Sequence, residues 1–329
     1  MAVLDVSGLN VWYQAPDGRQ MHAVRDLDLT LEAGQRLGLV GESGCGKTTV
    51  LNAVMALVPP TATVSGRVIF DGVDLLVPDE INARKHRWTG LSLVFQSAMN
   101  AFNPVVRVED QIAEPMVVHG LRDPRAAVRR ARELLELVGI APSAGRRYPH
   151  EFSGGMRQRA MLAMALACDP QVLIADEPTT ALDTMVQAQI LTLLDRLSSE
   201  LGLALLLVTH DLPVVSQLCD RAAVMYAGRI VESGPIADLY HSPAHPYTRM
   251  LFDATPDVLS EHAVASIPGS PPPLNEERTG CAFAPRCDSA AEVCRTEPPP
   301  LVRPGSDRLA ECHRPGAGVD RPARKAHHV

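Results

Sequence analysis

The segment Gly41-Glu42-Ser43-Gly44-Cys45-Gly46-Lys47-Thr48 constrains the fold more than any other part of the chain. It satisfies the phosphate-loop pattern at every fixed position. It stands between the apolar run Leu37-Gly38-Leu39-Val40, read as a short buried strand, and a helix that starts at Lys47. The glycines let backbone N–H groups approach phosphate oxygens, and the start of the helix adds a favourable dipole. On this reading Gly41, Ser43, Gly44 and Gly46 shape the cradle. Lys47 neutralises β- and γ-phosphate oxygens, Thr48 ligates Mg2+, and Thr49 lies beside it. Cys45 occupies a position with no side-chain requirement.

Around this loop, strands alternate with helices. Residues 3–40 carry short alternating apolar runs with turn signals at Pro16-Asp17-Gly18 and Ala33-Gly34, the pattern of strands and a hairpin. Gly66–Asp71 is strand-rich. Val172–Ala175 and Ala204–Val208 read as buried strands separated by a helix over Met185–Glu200. That alternation predicts an α/β core with a mainly parallel sheet covered on both faces. Helical spacing is clearest in Ala126–Val138 and Arg157–Ala167, and it predicts a helical subdomain over about residues 97–168. Prolines cluster at Pro271-Pro272-Pro273 and Pro298-Pro299-Pro300, where regular periodicity fades. The expected domains are therefore 1–255, an appended cysteine-rich segment 256–317, and a disordered tail 318–329.

Composition narrows the function classes. A formal net charge of -7 argues against a nucleic-acid partner, which requires a basic surface. The basic stretch Arg122–Arg132 is interleaved with Ala and Val at helical spacing and reads as a solvated helix face. No apolar run has the length of a membrane span. The residues from Met1 lack the regions of a secretory signal, so a cytoplasmic location is expected. Cysteines in that compartment are read as thiols rather than disulfides. Cys45, Cys168 and Cys219 are scattered, whereas Cys281, Cys287, Cys294 and Cys312 cluster near the end.

Further motifs carry chemistry. Phe152-Ser153-Gly154-Gly155-Met156 stands at the start of a helix that continues with Arg157-Gln158-Arg159, a second place where N–H groups favour an anion. If the two phosphate-binding surfaces cannot fold onto one nucleotide, they must meet across a dimer. Val172-Leu173-Ile174-Ala175-Asp176-Glu177 is a strand ending in two carboxylates. Asp176 can reach Mg2+ through water and Glu177 can polarise an attacking water. His210 ends the strand run Leu205–Thr209; most single histidines are structural, but at the C-terminal end of a parallel strand it can contact a γ-phosphate. Gln96 follows Leu93-Val94-Phe95 at the passage into the helical region, where an amide can ligate Mg2+ or hold water. Four thiolates in a short segment can hold an iron–sulfur cluster or tetrahedral zinc, or stay free; the spacing lacks the close pairs of a zinc ribbon.

Together these residues resemble the ATP-binding subunits of ABC transporters, over about residues 3–250. Phe152 replaces the usual Leu of that family's signature and Met156 the usual Gln, while Ser153, Gly154 and Gly155 are retained. Ala181-Leu182-Asp183 matches the loop after the acidic motif, and Tyr13 matches the adenine-stacking aromatic, with Trp12 a competitor. The resemblance implies a RecA-like P-loop core with an antiparallel β subdomain and a helical subdomain. Val186–Ile190, the Met156–Arg159 extension, His245-Pro246-Tyr247-Thr248 and the four late cysteines are similar to the dipeptide/oligopeptide permease group, which implies a 4Fe-4S cluster on Cys281, Cys287, Cys294 and Cys312, with Zn2+ the alternative.

The function implied is an importer ATPase peripheral to the cytoplasmic face of the membrane. Lys47, Thr48, Gln96, Asp176, Glu177 and His210 would close on the γ-phosphate, with Ser153–Gly155 contributed in trans and Asp183 in the nucleotide contacts. The implied partners are a second, distinct ATPase subunit, two membrane permease subunits and an extracytoplasmic solute-binding protein. The rivals are an importer for another small solute such as nickel, a soluble ABC-type ATPase acting on a macromolecule, and a non-hydrolysing switch. The chain has no long heptad run of the kind soluble members often carry, and it retains Glu177 and His210, whose loss would mark a switch.

Overall fold

The computed structural model describes residues 1–15, 18–77, 84–95, 101–180, 182–254, 266–276 and 279–317. Gln96, Ala181, the junction near residue 255 and the segment 318–329 lie outside the described residues. The strands are β1 (Ala2–Gln14), β2 (Gln20–Glu32), β3 (Arg36–Val40), β4 (Thr63–Phe70), β5 (Val73–Asp74), β6 (Leu91–Val94), β7 (Val172–Asp176), β8 (Ala204–Thr209), β9 (Arg221–Tyr226), β10 (Arg229–Pro235), β11 (Leu301–Gly305) and β12 (Arg308–Glu311). Two compact units divide them. One comprises residues 1–3, 31–35 and 77–207, and the other 4–30, 36–76 and 208–329.

The second unit contains an antiparallel sheet in the order β2-β1-β4-β5. Phe70 pairs with Val73 across Asp71-Gly72, both at positive φ, as a two-residue hairpin turn matching the strand twist requires. It also contains the run β11-β12-β10-β9-β3. β3 lies parallel to β9, with Leu39 opposite Ala223, and its residues Leu39 and Val40 are fully buried. Gly38 is small for a reason: a Cβ there would stand 2.5 Å from Val215 Cγ1 in the helix Leu212–Leu218.

The appended segment is more regular than its sequence suggested. β12 pairs antiparallel with β10, Glu232 opposite Ala310, and β11 folds back on β12. These strands are too short for alternation to register, and Pro304 interrupts β11. A buried ion pair ties them down. Arg308 Nη2 donates to Glu232 Oε1 at 2.9 Å, and the Glu232 carboxylate also accepts the N–H groups of Ala244 (2.8 Å) and His245 (2.9 Å). Glu232 is 1 % exposed, so all three bonds compensate a costly desolvation.

The first unit contains the strand run β8-β7-β6, with β6 parallel to β7. Helices Val108–Val118, Pro124–Leu137 and Gly154–Ala165 form its helical part. Asp123 caps the second of these by accepting from the N–H groups of Arg125 and Ala126. Not all of the basic stretch is a solvated face: Arg132 grips the buried Glu109 through Nε at 2.8 Å and Nη2 at 3.1 Å, and Arg130 reaches Asp169 at 3.1 Å. Hydrogen bonding to Glu109 raises the Arg132 pKa. The helix Thr184–Leu201 ends at Gly202, in the left-handed conformation glycine favours.

Removing one partner of a buried pair strands the other. Glu232→Ala is expected to cost about 3–5 kcal/mol, read as a lower denaturation midpoint of the full chain. A loss below about 1 kcal/mol would show that β12 is held by something else.

Candidate functional site

The phosphate loop is built against the backbone of its own unit. Gly41, Gly44 and Gly46 all have positive φ. A Cβ on Gly41 would stand 2.2 Å from Met225 O, and one on Gly46 2.4 Å from Ala23 O, so neither position admits a side chain. Gly46 is the N-cap of the helix Lys47–Val54, whose first N–H groups are thereby left to face the loop. Ser43, Gly44 and Thr48 are exposed and Thr49 is half-buried. Lys47 is buried, and its Nζ donates to Gly41 O at 2.8 Å and Glu42 O at 3.0 Å. The ammonium is thus held by loop carbonyls that a bound phosphate can replace. Burial raises the Cys45 pKa, so the thiol is neutral near Lys47.

Tyr13 and Trp12 are consecutive on β1 and face opposite sides. Trp12 stacks on His22, with ring centroids 4.4 Å apart, so it serves hairpin packing. Tyr13 is half-buried on the other face. His210, after β8, is exposed.

The other unit carries the carboxylates and the pentapeptide. Asp176 ends β7 and is 8 % exposed. Glu177, next to it, has φ +44°, a conformation that costs a non-glycine residue about 1–3 kcal/mol and clusters at functional positions. Its carboxylate accepts from Thr180 Oγ1 at 3.0 Å. Ser153 caps the helix Gly154–Ala165, its Oγ accepting from Met156 N–H at 3.3 Å. Phe152 is buried, and Arg157 Nε donates back to its carbonyl at 3.1 Å. Gly155 is forced: a Cβ would lie 2.7 Å from Val186 Cγ1, and Gly154 faces Leu182. The start of the pentapeptide helix therefore packs on the start of Thr184–Leu201, where Asp183 accepts from Val186 N–H at 2.9 Å as N-cap. Arg159 joins the two by donating to Gln189 Oε1 at 2.9 Å.

The structure also gives roles to residues that sequence reasoning passed over. Tyr247 is fully buried and its hydroxyl accepts the N–H of Glu42 in the phosphate loop at 3.0 Å. His245 Nδ1 accepts from Tyr247 N–H at 3.0 Å, and burial pushes its pKa down to about 3, so the ring is a neutral acceptor. The motif His245-Pro246-Tyr247-Thr248 was legible, but not its contact with the loop.

The four late cysteines, with His245 and His313, line one small cavity. Burial raises the pKa of Cys281 to about 11 and also raises those of Cys287 and Cys312, so a metal there must displace protons. Among the described residues, no three Cys, His, Asp or Glu side chains are gathered closely enough to hold a metal ion.

Comparison with known proteins gives the family. Residues 24–180 match the family described as ABC transporter, and residues 231–294 the family described as oligopeptide/dipeptide transporter, C-terminal region. The oligopeptide transport ATP-binding protein OppD of Salmonella typhimurium is 44 % identical over 318 residues, covering 95 % of this chain and 94 % of that one. OppD of Haemophilus influenzae is 46 % identical over 301 residues, covering 90 % and 92 %. Among solved structures, the dimeric bacterial ABC transporter cassette MJ0796 superposes with a TM-score of 0.63 at 26 % identity, covering 71 % of this chain and 98 % of that one. Cassette cbiO1 of Clostridium perfringens, part of the complex cbiONQ, gives 0.61 at 28 % identity, covering 73 % and 90 %. On this similarity along nearly its whole length, the chain belongs to the ABC transporter family, among its oligopeptide-transport ATP-binding subunits.

Proposed function

We propose that this protein hydrolyses ATP to drive uptake of dipeptides or oligopeptides through partner membrane subunits. The observation that carries this is the complete phosphate loop on a chain that covers over nine-tenths of oligopeptide-transport ATP-binding relatives. In this reading the loop N–H groups of residues 43–48 hold the β- and γ-phosphates, Lys47 leaves its two carbonyls for phosphate oxygens, and Tyr13 stacks on the adenine. Thr48, Gln96 and Asp176 are assigned to Mg2+, hard oxygen donors of the type that ion takes. The ion, when bound, neutralises charge on the β- and γ-oxygens. Glu177 accepts a proton from the attacking water, and His210 hydrogen-bonds the γ-phosphate. Ser153, Gly154 and Gly155 present the start of their helix to a nucleotide held by another cassette, with Asp183 nearby, as suits a relative of a dimeric cassette.

The second cassette is proposed to be a homologous but distinct subunit. Two membrane permease subunits would supply the path, and a solute-binding protein outside would deliver cargo. No helix among the described residues is long and apolar enough to cross a membrane. Val117, Val118 and Leu121, at the end of the helix Val108–Val118, are exposed and suit docking on a permease loop. A peripheral position at the cytoplasmic face of the membrane is part of the proposal.

The four cysteines are proposed to hold a 4Fe-4S cluster. Support comes from their shared cavity, while the looser gathering noted above means that loading must draw the thiols together. Anaerobically purified full chain is expected to contain iron and to absorb broadly in the visible, with both lost in Cys287→Ser; zinc without iron would identify a tetrathiolate ion instead.

Glu177→Gln is expected to retain ATP binding while slowing hydrolysis by between about a hundredfold and ten-thousandfold in the assembled transporter. Turnover equal to the unaltered protein would remove Glu177 from the role of base.

A further inference from the structure

The turn that joins Cys281 to Cys287 also carries a side chain into the phosphate loop. Cys281 N–H donates to Cys294 O at 2.8 Å, Ala284 N–H to Cys281 O at 3.0 Å, and Arg286 N–H to Phe283 O at 2.9 Å. The turn is thus closed on itself, and it presents Arg286, immediately before Cys287, inward at 7 % exposure. The Arg286 guanidinium donates to both carboxylate oxygens of Glu42, at 2.7 and 2.9 Å. Its Nε donates to Pro268 O at 2.7 Å, and Nη1 also reaches the Tyr226 hydroxyl at 3.3 Å. The group lies over the rings of Tyr226 and Phe283, 5.7 and 5.9 Å from their centroids.

Glu42 is the second residue of the phosphate loop, and each of its polar groups is engaged. The N–H goes to Tyr247, the carbonyl accepts from Lys47, and the carboxylate takes the Arg286 fork. Tyr247 and Phe283 pack ring to ring at 5.3 Å, so both supports of Glu42 rise from one aromatic cluster. The charge matters as much as the geometry. An unpaired carboxylate in the loop would repel a polyphosphate. A guanidinium fork satisfies both oxygens at once, which a lysine cannot do.

We propose that Arg286 is a positioning residue for the phosphate loop, orienting and neutralising Glu42 so that the conformation of the four-cysteine segment sets nucleotide affinity. The inference rests on ATP binding at the loop but not on which solute is imported. It requires no metal in the cysteine cavity.

The test is ADP binding by the full-length chain, measured by calorimetry beside melting temperature. Arg286→Gln should weaken binding about tenfold, the worth of a lost charge-assisted hydrogen bond. Adding Glu42→Gln should restore most of the loss, because the stranded carboxylate is gone; a purely structural arginine would show no such rescue. Arg286→Lys should fall between the two and decides the matter if Arg286→Gln does not fold. Cys287→Ser should weaken binding in the native background and add nothing in the Arg286→Gln background. In the assembled transporter the loss should fall on KM rather than kcat. ADP affinity unchanged in the Arg286 variants, an unrescued double variant, or an equal effect of Cys287→Ser in both backgrounds would each overturn the proposal.

Discussion

The backbone of residues 41–46 must lie against the carbonyls of Ala23 and Met225 with no side chain between, and much else in its unit follows from that contact. Met225 belongs to β9, which is parallel to β3, the strand that delivers the chain into the loop. Ala23 belongs to β2. The loop is therefore moulded by strands from distant parts of the sequence. Its glycines are fixed by that crowding as well as by the phosphates they are proposed to serve. Lys47, held to Gly41 and Glu42 carbonyls, supplies the charge inside this mould.

A similar economy governs the other unit. Ser153 and Asp183 both cap helices, and those two helix starts are pressed together by Gly155 against Val186. Each cap thus has a local duty that it performs without nucleotide. A substitution at either residue would disturb the helix start as well as any contact to phosphate, so its effect on turnover would mix the two. Glu177 differs, because its left-handed backbone and its bond from Thr180 serve no helix or strand.

The sequence was most legible where function is local. The phosphate loop, the pentapeptide, the strand ending in Asp176 and Glu177, and the helices of the first unit all carry their signal within a few neighbouring residues. The helix Met185–Glu200 was placed within a residue of its observed ends, Thr184 and Leu201. What stayed hidden depends on contacts far apart in the chain. Arg286 and Glu42 are separated by 244 positions, and no local pattern links them. The same holds for Arg308 with Glu232, and for Tyr247 with the Glu42 N–H. β11 and β12 escaped because four- and five-residue strands hold too few alternations to stand out. Arg132 looked solvated because its partner Glu109 is buried on a different helix.

The hairpin of β11 and β12 also changes which surface the sheet leaves open. β10 pairs with β9 on one side and β12 on the other, so its hydrogen-bonding groups are used on both edges. The outer strand becomes β11, which is short and carries Arg303 and Pro304. Charge and proline at such a rim discourage a second chain from adding to the sheet. A shortened protein ending before Leu301 would bare the edge of β10 and leave the carboxylate of Glu232 without its arginine. The segment that carries the cysteines is, in this respect, a guard against self-association.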